Sequence, residues 1–194
     1  MYEVKRVADD EGLCANWKIV NLNPIVYSKT LFLDRDGVII LNHGYVSSLN
    51  RVDLIVEIVE LMVDATIMQR PVSIITNQAG VAHGLFSEED VVNFNLELLH
   101  FLYENHGIKI NNLLYCPSHP KAVILNYRKN CNCRKPKTRL FESSLKQTNS
   151  KPELSVFIGD QESDRKAAER LNMQFISFPK DFEDKKYILN ALLQ

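Results

Sequence analysis

Apolar and polar positions fall in blocks along the chain: short apolar runs that end in charged or glycine-bearing turns, then stretches whose apolar residues recur at helical spacing. Thr30-Leu31-Phe32-Leu33 reads as a buried strand closed by the charged turn Asp34-Arg35-Asp36-Gly37. Leu54, Ile55, Ile58, Val59, Leu61 and Met62 predict a helix, and Pro71 ends it before a strand over 72–76. Ser87 ahead of Glu88, Glu89 and Asp90 is an N-cap with favourable charge for a helix reaching Asn105, where Gly107 can terminate it. A third strand is expected over 111–115. Residues 116–137 have neither period and read as a long loop, and long loops inside compact domains call for a function. A helix over 139–147, strands over 154–158 and 173–178, a helix over 162–171 and a terminal helix after Asp184 complete the pattern. Strand followed by helix, repeated, is an α/β chain, with a Rossmann-like parallel sheet and helices on both faces. Residues 1–29 are weakly patterned and are set apart as an N-terminal extension of unknown role; Trp17-Lys18-Ile19-Val20 suits an edge strand or a partner surface.

Composition narrows the classes. At 194 residues the chain suits one domain, here 30–194, and 45% hydrophobic content is that of a globular protein. Twenty-three Lys+Arg against twenty-four Asp+Glu give a net charge of −1, which argues against a general nucleic-acid binder. No apolar run approaches the ~20 residues of a membrane span, and the first residues lack the apolar core of a secretory signal, so a cytoplasmic protein with no membrane partner is expected. Three of the four cysteines, Cys116, Cys131 and Cys133, cluster in the 116–137 loop, whereas Cys14 stands alone. Clustered cysteines outside an oxidising compartment point to metal before disulfide.

The chemistry gathers at predicted strand ends, where open α/β sheets bind ligands. Asp34 and Asp36 are two carboxylates two residues apart, an arrangement that favours a cation such as Mg²⁺ and can equally be an acidic turn. Asp160 follows another apolar strand, with Asp164 four residues on and so on one side of a helix start. Thr76-Asn77-Gln78 offers a hydroxyl and successive N–H groups to a phosphate oxygen, and Arg134-Lys135 offers positive charge to an anion.

In order and spacing these four elements resemble the haloacid dehalogenase superfamily of phosphatases, from about Thr30 to Phe178. The resemblance implies that fold without a large cap domain, an Asp34 nucleophile, and Asp36 as general acid and then base. It further implies Thr76 and Lys135 on the phosphoryl oxygens, and Mg²⁺ held by Asp34, the Asp36 main-chain carbonyl and Asp160, with Asp164 in support. Cys116-Pro117-Ser118-His119-Pro120 and Cys131-Asn132-Cys133-Arg134-Lys135-Pro136 resemble the group of heptose-bisphosphate and histidinol-phosphate phosphatases, and Asn42-His43-Gly44-Tyr45 resembles the heptose group's substrate loop. This implies hydrolysis of the C7 phosphate of a heptose 1,7-bisphosphate by a monomer. Asn42, His43, Gly44, Tyr45, Asn77, Gln78 and Arg134 would lie near the sugar. Histidinol phosphate and nucleic-acid 3′-phosphates are the alternative substrates, and a zinc-stabilised binding protein is the non-enzymatic one.

The chain departs from that group at three places. The group's zinc-binding loop uses Cys, His, Cys and Cys, but its histidine position is Ser118 and the histidine here is His119. One residue displaces the chain by roughly 3.3–3.6 Å, against a zinc tolerance of about ±0.2 Å. The loop can adjust so that Cys116, His119, Cys131 and Cys133 bind Zn²⁺, which is the expectation taken here; otherwise three thiolates bind with water, or zinc is lost. His83 and Gln161 stand where the heptose group often has Arg and Lys, which removes fixed positive charge near a doubly phosphorylated substrate.

Overall fold

A computed structural model describes residues 2–8, 15–21, 29–41, 54–182 and 185–193. Five short strands form the parallel centre of the sheet: β3 (Leu31–Leu33), β4 (Val72–Asn77), β5 (Ile110–Cys116), β6 (Val156–Gly159) and β7 (Gln174–Ser177). Two more, β1 (Tyr2–Ala8) and β2 (Ala15–Asn21), pair with each other, and β2 runs antiparallel to β5 with Trp17 opposite Tyr115. The order is β1-β2-β5-β4-β3-β6-β7. Trp17–Val20 therefore does lie in a strand, but an inner one, with β1 outside it.

Alternation along β3 sorts its side chains to two faces. Leu31 and Leu33 join a core built with α1 (Val56–Ile67), α3 (Glu88–His106) and α6 (Lys185–Leu193). Phe32 points the other way, into a second core with α4 (Arg139–Thr148) and α5 (Glu162–Arg170), where its ring meets Phe141 at 5.4 Å. Both faces of the parallel strands are thus covered, which is why their sequences are nearly continuous apolar runs.

The helix ends follow their chemistry. Ser87 and Asp90 form a reciprocal capping box at the start of α3, and Gly107 ends it in the left-handed region at φ +68°. The strand expected over 154–158 starts later, because Pro152–Leu154 is a 3-10 turn and β6 begins at Val156. Among the described residues no helix is long and apolar enough to cross a membrane.

Chain order reverses between β3 and β6: β4 and β5 lie on one side of β3, while β6 and β7 lie on the other. This is the switch point at which a parallel sheet opens a crevice beyond its strand ends.

Candidate active site

The carboxyl ends of β3 and β6 flank that crevice. Leu33 pairs with Ile158, and the Asp34 N–H donates to the Ile158 carbonyl at 3.0 Å, so Asp34, one residue past Leu33, and Asp160, two past Ile158, leave neighbouring strands at the same end of the sheet. Asp164, fully buried in the first turn of α5, joins them, and carboxylate oxygens of all three lie within 4.8 Å of one another. Asp164 also accepts from the Gln161 N–H at 3.1 Å, which fixes it as the cap of its own helix.

Close approach here depends on two glycines. A Cβ on Gly37, whose φ is +83°, would stand 2.4 Å from an Asp160 oxygen, and a Cβ on Gly159 would stand 2.5 Å from the Asp164 Cβ.

Lys135 arrives from the 116–137 loop and is buried. Its Nζ lies 2.8 Å from both Asp34 Oδ2 and Asp164 Oδ1 and donates to the Ile75 carbonyl at 2.9 Å. One ammonium therefore faces a crowd of carboxylates. Burial raises the Asp34 pKa to about 7, against the pull of Lys135 and with the charges of Asp164 and Asp36 adding to the rise. Burial also raises that of Asp160, opposed by its hydrogen bond from Gln161. For Lys135 burial disfavours the charge, but Asp34 and Asp164 outweigh it and its pKa is raised.

The Asp160 Oδ1 atom is buried with no hydrogen-bond partner among the described residues. Three carboxylates around an orphaned oxygen form a hard-donor set that fits Mg²⁺.

Asp36 points elsewhere. Its carboxylate takes Arg35 Nη2 at 3.0 Å on each oxygen, Gln78 Nε2 at 2.7 Å and, at 3.5 Å, the Thr76 hydroxyl. Thr76, at the end of β4, in turn accepts from Gln78 Nε2 at 2.9 Å. Asn77 grips the main chain of Lys135 in both directions: its Nδ2 donates to the carbonyl at 3.3 Å and its Oδ1 accepts the N–H at 3.1 Å.

Beyond the end of β5 the three loop cysteines also meet. The Cys116 sulfur lies 3.2 Å from that of Cys131 and 2.7 Å from that of Cys133, and all three are buried in the α4/α5 core. These are soft donors, suited to zinc.

A family model described as HAD-hydrolase-like matches residues 132–190. The D-glycero-β-D-manno-heptose-1,7-bisphosphate 7-phosphatase of Photorhabdus laumondii is 33% identical over 138 residues, covering 71% of this chain and 73% of that protein. The chain belongs to this family of haloacid dehalogenase-like phosphatases. It is accordingly a phosphoric monoester hydrolase. Two solved structures share the fold. A HAD-like phosphatase of Mesorhizobium loti has a TM-score of 0.79 at 24% identity, covering 91% of this chain and 92% of that one. The D,D-heptose 1,7-bisphosphate phosphatase of B. bronchiseptica, complexed with magnesium and phosphate, has a TM-score of 0.70 at 21% identity, covering 86% and 98%.

For this phosphatase the sequence expectations divide. Asp34, Asp160 and Lys135 converge, and Asp164, expected only in support, stands inside the carboxylate group. The Asp36 side chain, expected near the cation only through its main chain, is not in that group. Thr76 and Gln78 lie beside Asp36. Arg134 Nη1 reaches the Ser118 carbonyl at 3.4 Å. Asn42, His43, Gly44 and Tyr45 lie outside the described residues, as does Cys14.

His119 does not join the three sulfurs. Its N–H donates to the Tyr127 carbonyl at 3.0 Å, and its Nδ1 accepts from the Lys121 N–H at 3.1 Å. The ring rests against His83 at 5.1 Å between centroids. Partial burial, then the charges of Arg134, His83 and Lys121, lower its pKa. The turn after Cys116 thus engages the ring away from the three sulfurs in this structure.

One residue beside the site is not singled out by the sequence. Arg35 is buried, binds Asp36, stacks 4.7 Å from the Phe94 centroid and donates to Asn95 Oδ1 at 2.8 Å. The signal for it was Asn95, an amide on the apolar stripe of α3 formed by Val91, Phe94, Leu98, Leu99 and Leu102.

Proposed function

We propose that this phosphatase hydrolyses the C7 phosphate monoester of D-glycero-D-manno-heptose 1,7-bisphosphate through an aspartyl-phosphate on Asp34. The observation that carries the reading is the buried Asp34–Lys135–Asp164 contact beside Asp160 at the switch point of the sheet.

Asp34 is the nucleophile: a carboxylate oxygen forms a bond to phosphorus as the bond from phosphorus to the sugar oxygen breaks. Asp36 gives the departing sugar oxygen a proton, then takes one from the water that attacks the phospho-enzyme and releases inorganic phosphate. Arg35 and Gln78 orient the Asp36 carboxyl for both tasks. Thr76 and Lys135 hold the phosphoryl oxygens, and Asn77 holds Lys135 from its main chain. Asp34, Asp160 and the Asp36 main-chain carbonyl would hold Mg²⁺, with Asp164 in support. Bound there, the cation supplies positive charge against the phosphoryl oxygens.

The cysteines of the loop would hold a structural Zn²⁺. Residues 30–194 form the catalytic domain, and the enzyme acts in the cytoplasm as a monomer on a small sugar bisphosphate contacted by Asn42, His43, Gly44, Tyr45 and Arg134. The β-anomer in the name of the Photorhabdus relative makes that anomer the first to test.

The test is phosphate release with Mg²⁺ from both anomers of heptose 1,7-bisphosphate, fructose 1,6-bisphosphate, histidinol phosphate and a 3′-phosphorylated oligonucleotide. A heptose bisphosphate should give the highest kcat/KM. Preference for histidinol phosphate or the oligonucleotide would overturn the substrate while leaving the phosphatase chemistry in place.

A further inference from the structure

The aim of the Asp36 carboxyl is set from outside its own turn. Arg35 and Asp36 are neighbours in the chain, so the grip of the guanidinium on the carboxylate, Nε at 3.2 Å and Nη2 at 3.0 Å, joins the two side chains without fixing either to the rest of the molecule. Two helices supply the fixed points. Gln78, the N-cap of α2 (Ala79–Ala82), reaches Asp36 Oδ2 with its Nε2 at 2.7 Å. On α3, the Phe94 ring centroid lies 4.7 Å from Arg35 Cζ, and Asn95 Oδ1 accepts from Arg35 Nη1 at 2.8 Å. The Arg35 side chain is 1% exposed and that of Asp36 21%, so the carboxylate reaches solvent while the group that holds it is packed from behind.

Asn95 is a poor residue for packing alone. It stands fully buried on the apolar stripe of α3, and its Nδ2 has no hydrogen-bond partner among the described residues. A half-satisfied buried amide carries a desolvation cost that a leucine would not. What the amide offers is a neutral acceptor. An apolar residue would leave Nη1 without a partner, and an acidic one would compete with Asp36 for the guanidinium.

We infer that Asn95 is a positioning residue for the acid–base steps: acting through Arg35, it holds the Asp36 carboxyl on the leaving oxygen and then on the attacking water. The inference rests on the reading of Asp36 as general acid and base, and it is independent of the sugar.

The test compares the native enzyme, N95L and D36N on benzyl phosphate and p-nitrophenyl phosphate with Mg²⁺. The benzyl oxygen needs a proton as its bond to phosphorus breaks, whereas p-nitrophenolate leaves as the anion and needs none. N95L should lower kcat/KM for benzyl phosphate by about 10-fold or more, and that for p-nitrophenyl phosphate by less than about threefold. Hydrolysis of the phosphorylated Asp34 needs a base whichever alcohol has left. N95L should therefore release a burst of p-nitrophenolate approaching the enzyme concentration before slow turnover. R35M should carry the same signature, and adding N95L to it should change kcat/KM by less than about twofold, because the two residues act along one path. If N95L fails to fold by circular dichroism and gel filtration, N95A carries the same comparison. Equal losses on both substrates in N95L, with an unequal loss kept in D36N, would assign Asn95 to packing and overturn the inference alone. Equal losses in D36N would remove the acid–base role of Asp36, and the inference with it.

Discussion

Among the described residues two trios of side chains could hold a metal ion, and they are built differently. Asp34 follows Leu33, Asp160 lies two residues past Leu33's partner Ile158, and Asp164 in the first turn of α5 accepts the N–H of the N-cap Gln161. Inserting one residue there would shift a ladder and turn apolar side chains to the wrong face. Cys116 ends a strand, but Cys131 and Cys133 lie in a loop with no ladder to keep register. In that loop His119 finds partners away from the three sulfurs. Strand-end sites therefore tolerate little change in spacing, whereas a loop site has no ladder that fixes it. Lys135 joins the two regions: it follows Cys133 by two residues, and its ammonium sits among the carboxylates.

The largest effect should come from the acidic side. D34N should lower kcat by at least about 10⁴-fold, because the nucleophile is gone while the shape is kept. Its fold should survive, since the amide relieves repulsion with Asp164, and thermal unfolding with chelator present should show no loss of stability. Residual turnover within tenfold of the native enzyme would remove Asp34 from the nucleophile's role. K135M comes next. It leaves Asp34 and Asp164 buried without their counter-charge, so urea unfolding above pH 7 should show a loss of about 3–5 kcal/mol, with activity lost as well. A loss below about 1 kcal/mol would mean that the carboxylates find other compensation.

The pH dependence sharpens the contrast, because thiolates and carboxylates answer differently to metal removal. The folded-state pKa of Asp34 is raised from 3.8 to about 7, so between those values the folded chain keeps a proton that the unfolded chain releases. Without divalent cation, stability should fall as pH rises through that window, on the order of 4 kcal/mol in all. Mg²⁺ favours the ionised carboxylate and should flatten the slope. Denaturation curves with chelator and with Mg²⁺ across the window check this; a chelated protein that gains stability with rising pH would show that Lys135 already holds Asp34 ionised.

Sequence reading carried far where side-chain period and backbone pairing are locked together. The strands that became β3, β4 and β6 were apolar runs with acidic or Thr-Asn ends, and the Ser87 and Gly107 signals bounded α3 within a residue or two. β1 and β2 were not legible as a hairpin, because their charged and apolar residues are mixed without the long apolar run that marks the central strands. Arg35 was hidden by its motif: between two acids it reads as turn charge, and only the packing of Phe94 and Asn95 shows that it is buried. The fate of His119 could not be read either. The Lys121 N–H on its Nδ1 and the His83 ring, the latter 36 residues away in the chain, hold that side chain.

The contact that couples the two regions is also the one with the smallest expected effect. Asn77, at the end of β4, was expected to touch substrate, yet both ends of its amide hold the main chain of Lys135. Removing it leaves the Lys135 side chain with its three partners, Asp34, Asp164 and the Ile75 carbonyl, but frees the backbone that carries it. N77A should therefore cost about 1–2 kcal/mol in urea unfolding, near the worth of two partly buried hydrogen bonds. A positioning role predicts that kcat falls by about 10-fold or more with KM nearly unchanged, since a displacement of Lys135 matters most as charge develops on the phosphoryl group. A substrate contact predicts the reverse, a raised KM with kcat preserved. N77D separates the two further: its carboxylate still accepts the Lys135 N–H but cannot donate to the carbonyl. If N77D matches N77A in KM as well as kcat, Asn77 acts on the loop, and the acidic site depends on the thiol side through the backbone as well as through Lys135.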